Sequence, residues 1–202
     1  MIAYAGQYLF PPRPDNPVPV GQLEFYEKRG WWAQSKKNGT CAIITVTPDS
    51  IQMMNRHHQP LNWTMPRGVA EFLHDHLNRT TVFAAELLHH KTVATKNTLY
   101  LFDVLVVRGE YLLGTNYAFR YDALVNLFPN SAPGITHNVL NPRVWTARCI
   151  GDHFLDYFNS LAGDDEGIVL KDPMGILRDC SKATANGYWQ VKCRRQTKNY
   201  SF

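Results

Sequence analysis

A chain of 202 residues can form one large domain or two small ones. Its 45% apolar and 12% aromatic content supports a packed core and excludes an intrinsically disordered chain. The formal net charge of +4 permits a polyanionic partner without requiring one.

The first elements are an N-terminal strand and an extended surface segment. The run Pro11-Pro12-Arg13-Pro14-Asp15-Asn16-Pro17-Val18-Pro19 excludes regular structure there. Trp31 to Ser35 leads into a turn at Lys36-Lys37-Asn38-Gly39. The β-branched run Cys41 to Val46 reads as a strand that Pro48-Asp49-Ser50 ends, and Ile51 to Arg56 as the next. A lysine between two strands, beside a glycine that lets backbone approach a ligand, suits a phosphate site.

Pro66 to Leu77 has Val69, Phe72, Leu73 and Leu77 at helical spacing. Thr81–Leu88 and Thr98–Val107 read as core strands, with a turn at Gly109-Glu110 after them. A helix is predicted over Ala118–Leu127, a strand over 143–150 and a helix over 152–161. Gly163-Asp164-Asp165 forms a loop before a strand from Gly167 to Leu170, and a last strand covers 188–193. Strands and helices mix without regular βαβ alternation, which predicts an α+β fold, with residues 1–202 as one domain.

The four cysteines stand far apart without a CxxC pair, which argues for reduced thiols in the cytoplasm over a zinc site or disulfides. No apolar run approaches the length of a membrane span, and the first residues lack the pattern of a secretory signal. Adjacent strand residues face opposite sides, so neither His57-His58 nor His89-His90 offers more than one ligand to a metal. His74 and His76 read as helix surface.

Three short motifs recur in one order: Lys36-Lys37-Asn38-Gly39, Glu166-Gly167-Ile168-Val169-Leu170-Lys171 and Trp189-Gln190-Val191-Lys192. Between them stand Arg56, Glu86 and the pair Phe102-Asp103. Together these resemble the covalent nucleotidyltransferase superfamily of ATP-dependent DNA ligases, RNA ligases and mRNA capping enzymes, over roughly residues 30–194. The resemblance implies an ATP-grasp-like domain of antiparallel sheets flanked by helices. It implies Lys36 as the nucleophile that takes AMP from ATP, with Lys37 on the opposite face. Lys171 and Lys192 would be further catalytic cations. Gln34, Gly39, Arg56, Glu86, Phe102 and Glu166 would hold the nucleotide, with Phe102 stacked on the base. Glu86 and Glu166 would hold Mg²⁺ or Mn²⁺.

The chemistry is coherent on its own. A lysine must lose its proton to attack phosphorus, and neighbouring cations such as Lys171 and Lys192 favour that loss. The same cations stabilise charge in the transition state. The implied partners are nucleic acid ends, DNA or RNA, met by a monomer. Arg194, Arg195 and Lys198 are candidate phosphate contacts, with a solvated tail as the alternative.

The sequence departs from the family pattern at several places. Ala84-Ala85 precede Glu86, Cys41 stands where DNA ligases commonly carry arginine, and Gln190 replaces the first lysine of the closing motif. The sequence contains no OB-fold after Lys192, so that function is expected from a separate partner if it is needed. Lys171-Asp172-Pro173-Met174 resemble small viral DNA ligases. Two alternatives stand beside the ligase: an RNA guanylyltransferase, and a catalytically decayed module that only binds nucleic acid.

Overall fold

A computed structural model describes residues 2–14, 16–183 and 186–195. The elements run β1 (Ile2–Ala3), β2 (Asn16–Pro17), α1 (Leu23–Lys28), β3 (Trp32–Lys37), β4 (Thr40–Val46), β5 (Ile51–Asn55), α2 (Arg67–His76), β6 (Thr81–Leu88) and β7 (Thr98–Val107). They continue with β8 (Glu110–Tyr111), α3 (Tyr117–Asn126), β9 (Ala132–Pro133), β10 (His137–Asn141), β11 (Val144–Ala147), α4 (Phe154–Ser160), β12 (Asp165–Lys171) and β13 (Gln190–Arg194).

Among the described residues these strands form two sheets. The larger has the order β5-β4-β6-β7-β11-β10-β9, with β8 hairpinned onto β7 and β1 onto β8. Its pairs are antiparallel except β11 on β7. The smaller has the order β2-β13-β12-β3, with only β2 parallel to its neighbour. This is a mixed α+β fold of mostly antiparallel sheet flanked by helices.

Strand alternation explains how the small sheet faces two environments. Residues opposite one another in the ladder share a face, and successive residues alternate. Ala33, Ile168, Leu170, Val191 and Cys193 therefore turn one way, into a core with Leu23, Phe154, Tyr157 and Phe158. Gln34, Lys36, Val169, Lys171, Gln190, Lys192 and Arg194 turn the other way, toward the large sheet. The main core lies around the large sheet, where Val69 and Leu73 of α2 and Leu124 of α3 join its buried strand residues.

The strands over 81–88 and 98–107 and the helix near 67–76 form where the sequence pattern places them. The proline segment is a correction. Pro11 and Pro12 are buried, and Asn16–Pro17 is an edge strand of the small sheet. Proline is tolerated there because an edge leaves its missing donor unneeded. The turn expected at Lys36 begins two residues later, because Lys36 and Lys37 complete β3. Lys37 does oppose Lys36. It is buried, ion-pairs with Asp165 at 2.6 Å and lies 5.5 Å over the Tyr100 ring.

Candidate active site

The two sheets enclose a cleft of about 790 Å³. Its small-sheet wall carries Gln34, Lys36, Val169, Lys171, Gln190, Lys192 and Arg194. The large-sheet wall carries Cys41, Glu86, Tyr100 and Phe102, with Arg56 and Lys91 also lining the space. Cys41 opposes Glu86, and Glu86 opposes Tyr100, so these three form one row across β4, β6 and β7.

Lys36 forms an ion pair with Glu166. The sequence predicts cations as the immediate neighbours of this amine, whereas its direct partner is a carboxylate. A bulge in the β3–β12 ladder produces the pairing. Asp165 opposes Lys37 and Gly167 opposes Lys36, which leaves Glu166 as the extra residue. Only glycine fits next to it. Gly167 has φ +147, and a Cβ there would lie 2.1 Å from the Cys193 carbonyl oxygen. Arg194 Nε lies 3.8 Å from the same Glu166 oxygen.

Glu86 faces this pair from the other wall. Burial raises its pKa to about 7, and the charge of Glu166 adds to the rise, while Lys36, Lys91 and the Gly39 N–H oppose it. Gly39 is a second steric glycine. A Cβ on it would come 2.6 Å from both Glu86 Cγ and the Leu87 carbonyl oxygen. Its role in this structure is thus to seat the turn against β6. Burial likewise pushes the Cys41 thiol up to about 12, assisted by Glu86.

At the other end of the cleft, Lys171 is buried and donates to the Phe102 carbonyl at 3.1 Å and the Tyr117 hydroxyl at 3.2 Å. Burial lowers its pKa to about 8, with Asp103 pulling back toward the charged form. Its ammonium lies 5.2 Å from the Phe102 ring centre and 4.3 Å from that of Tyr117. Gln34 donates to Tyr117 Oη at 2.7 Å and Cys149 Sγ at 3.2 Å. Asp103 points away from the cleft and holds buried Arg120 by two bonds, at 3.0 and 3.2 Å.

Lys192 donates to the Pro14 carbonyl at 3.3 Å, so the proline segment forms part of the cleft rim. Gln190 lines the same space, and its amide donates to the Asn186 carbonyl at 3.2 Å. Arg56 bonds His57 at 3.0 Å near the opening. Arg195 is anchored by its backbone N–H on the Glu166 carbonyl at 2.8 Å and is not among the cleft-lining residues. Lys198 lies outside the described residues. All the other predicted nucleotide, metal and catalytic residues border this one cleft.

Sequence reading missed Tyr100, Tyr117 and Lys91. Tyr100 was accessible to a period-two argument, since it shares a strand face with Phe102. Its hydroxyl donates to the Ser35 carbonyl at 3.0 Å, next to Lys36. Tyr117, buried behind the cleft, opens α3, where nothing local signals its bonds to Gln34 and Lys171. Lys91 stands in a loop, where no periodicity applies.

Among the described residues no helix is long and apolar enough to cross a membrane. None of Cys41, Cys149, Cys180 and Cys193 is in a disulfide. No family model and no curated protein matches the chain. Solved structures do match. The ligase domain of M. tuberculosis LigD superposes with a TM-score of 0.66 at 18% identity, over 92% of this chain and 59% of that one. A mycobacterial DNA ligase D complexed with ATP gives 0.62 at 16%, over 94% and 61%. The ATP-dependent DNA ligase of bacteriophage T7, also complexed with ATP, gives 0.54 at 14%, over 91% and 68%. The chain thus spans about three fifths of the length of the two mycobacterial structures. Identities this low speak to architecture alone, and this chain shares the fold of the matched domains in these solved DNA ligase structures.

Proposed function

We propose that this chain, acting as one domain in the cytoplasm, is the adenylation unit of an ATP-dependent polynucleotide ligase. One observation carries the reading: Lys36 lies in a cleft whose small-sheet wall bears Lys171, Lys192 and Arg194 and whose other wall presents Glu86 and an aromatic ring. An amine, cations for phosphate and a flat apolar face are what transfer of a nucleotide to lysine requires.

In this reading Phe102 and Val169, on opposite walls, bracket the adenine. Lys36 leaves Glu166, passes a proton to solvent and attacks the α-phosphorus. A P–N bond forms as the bond to the leaving pyrophosphate breaks. Lys192 and Arg194 balance the charge that develops on phosphate oxygens. A 5′-phosphate oxygen of a nucleic acid then displaces Lys36 from AMP, and the amine regains its proton. A 3′-hydroxyl finally attacks that 5′-phosphorus and expels AMP, which completes a phosphodiester.

Glu86 and Glu166 fit a divalent cation. The charge of Glu166 disfavours ionisation of Glu86, which a cation would offset, and Mg²⁺ or Mn²⁺ is bound by one or two carboxylates together with substrate phosphates. Such an ion would orient the triphosphate and offset the charge on the leaving pyrophosphate.

The test is covalent labelling. The protein incubated with α-labelled ATP and Mg²⁺ is expected to carry label through a denaturing gel, and Lys36→Ala to carry none. Lys37→Ala should keep the label. Labelling by GTP in place of ATP would point to a guanylyltransferase, and label retained on Lys36→Ala would refute the assigned nucleophile. Chasing labelled protein with nicked duplex or single-stranded RNA identifies the acceptor.

A further inference from the structure

The cations of the small-sheet wall have few counterparts across the cleft. The large-sheet wall offers Arg56 near the opening and Lys91, which leaves β6 in the loop 89–97. That loop is built rather than slack. Lys96 folds back onto the His89 carbonyl at 2.8 Å, and Thr92 Oγ1 donates to the same carbonyl at 3.3 Å. Its far side is clamped to the other sheet. The backbone N–H groups of Val93 and Thr95 donate to the two carboxylate oxygens of Asp164, each at 2.9 Å. Burial works against that carboxylate, but these bonds hold its pKa below the usual range. The Asp164 carbonyl in turn accepts the N–H of Asn38 at 2.9 Å. One residue thus ties together the turn after Lys36, the approach to Glu166 and the loop that carries Lys91.

Lys91 lines the cleft beside Cys41 and Glu86, which oppose one another in the sheet. Its charge acts on both, lowering the pKa of each against the effect of burial. Lys96, two bonds deep in its own loop, is not among the cleft-lining residues.

We propose that Lys91 is a second-wall cation that contacts the phosphate oxygens of the bound nucleoside triphosphate, and that Asp164 is the positioning residue that holds it there. The inference rests on the nucleotide-binding reading above and adds a residue to it. A ligand gripped from both walls is oriented as well as bound. Loss of one charge-assisted contact corresponds to about tenfold or more in affinity.

The experiment is calorimetric binding of ATP with Mg²⁺ to the 202-residue chain carrying Lys36→Ala, which removes the proposed nucleophile. Lys91→Met is expected to weaken binding about tenfold, and Lys91→Arg to retain it within about threefold. Asp164→Ala should weaken it similarly, and adding Lys91→Met to Asp164→Ala should cost little more, because the two act through one contact. Position 41 faces Glu86, so Cys41→Arg in the Lys91→Met chain should restore affinity. Unchanged affinity in Lys91→Met, with covalent labelling of the intact protein preserved, overturns the inference and leaves the ligase reading standing. Binding that is weakened by Lys91→Met in a protein that takes no label does the reverse. No binding of ATP or GTP to any variant overturns both.

Discussion

Partial burial, with the charge of Glu166 adding to it, raises the pKa of Glu86 to about 7 against the pull of Lys36 and Lys91. An unfolded glutamate ionises near 4.5, so between those values the native state binds more protons than the unfolded chain. Stability should therefore fall as pH rises from about 4.5 through 7, by about 3 kcal/mol at most. Urea midpoints across that range should show this slope, and Glu86→Gln should flatten it; an equally steep slope in the variant would count against the assignment. Gly39 makes a separate prediction. A methyl group at 39 meets backbone and side chain at 2.6 Å, so Gly39→Ala should cost about 1–3 kcal/mol and lower the thermal midpoint. That Lys36 and Lys37 turn to opposite faces was legible in the sequence, because adjacent strand residues diverge. The Lys36–Glu166 pair was not. It depends on a bulge whose position is set by the contact of Gly167 with β13, far away in sequence.

The link between β7 and α3 is the buried pair of Asp103 and Arg120. Asp103→Ala would leave a guanidinium buried with the Thr115 carbonyl as its remaining bond, at 2.9 Å. The expected loss is about 3–5 kcal/mol in urea unfolding, whereas joint replacement by apolar residues should cost much less. At this scale the sequence was legible wherever one face is buried. Val69 and Leu73 mark α2, and β7 runs over the predicted Thr98–Val107. It was silent where the signal is shared with neighbours. In α1 only Leu23 is buried, so no stripe shows. Every residue of β10 is half-buried, and its partners come from β11 and β9. Pro11 and Pro12 read as surface because proline punctuates local structure, yet here both are buried and Pro12 lines a cleft that local pattern cannot encode.

At the level of the whole chain, a ligand in the cleft touches both sheets and so should resist their separation. ATP at about a hundredfold over its dissociation constant should add about 2.7 kcal/mol to stability and raise the thermal midpoint. Lys36→Ala should keep most of that gain, since it removes the proposed nucleophile and not the pocket. The α+β class and the motif order were readable because each motif is local. How the motifs meet was not, because the small sheet draws on residues 16–17, 32–37, 165–171 and 190–194. Such distant pairing slows folding, since long loops must close before any ladder forms. During translation, then, the large sheet can gather while the ribosome is still at work, but lysine 36 waits. Its own sheet is complete only when the strand that ends at Arg194 has emerged, so a half-made chain holds Lys36 without Lys171, Lys192 and Arg194 beside it.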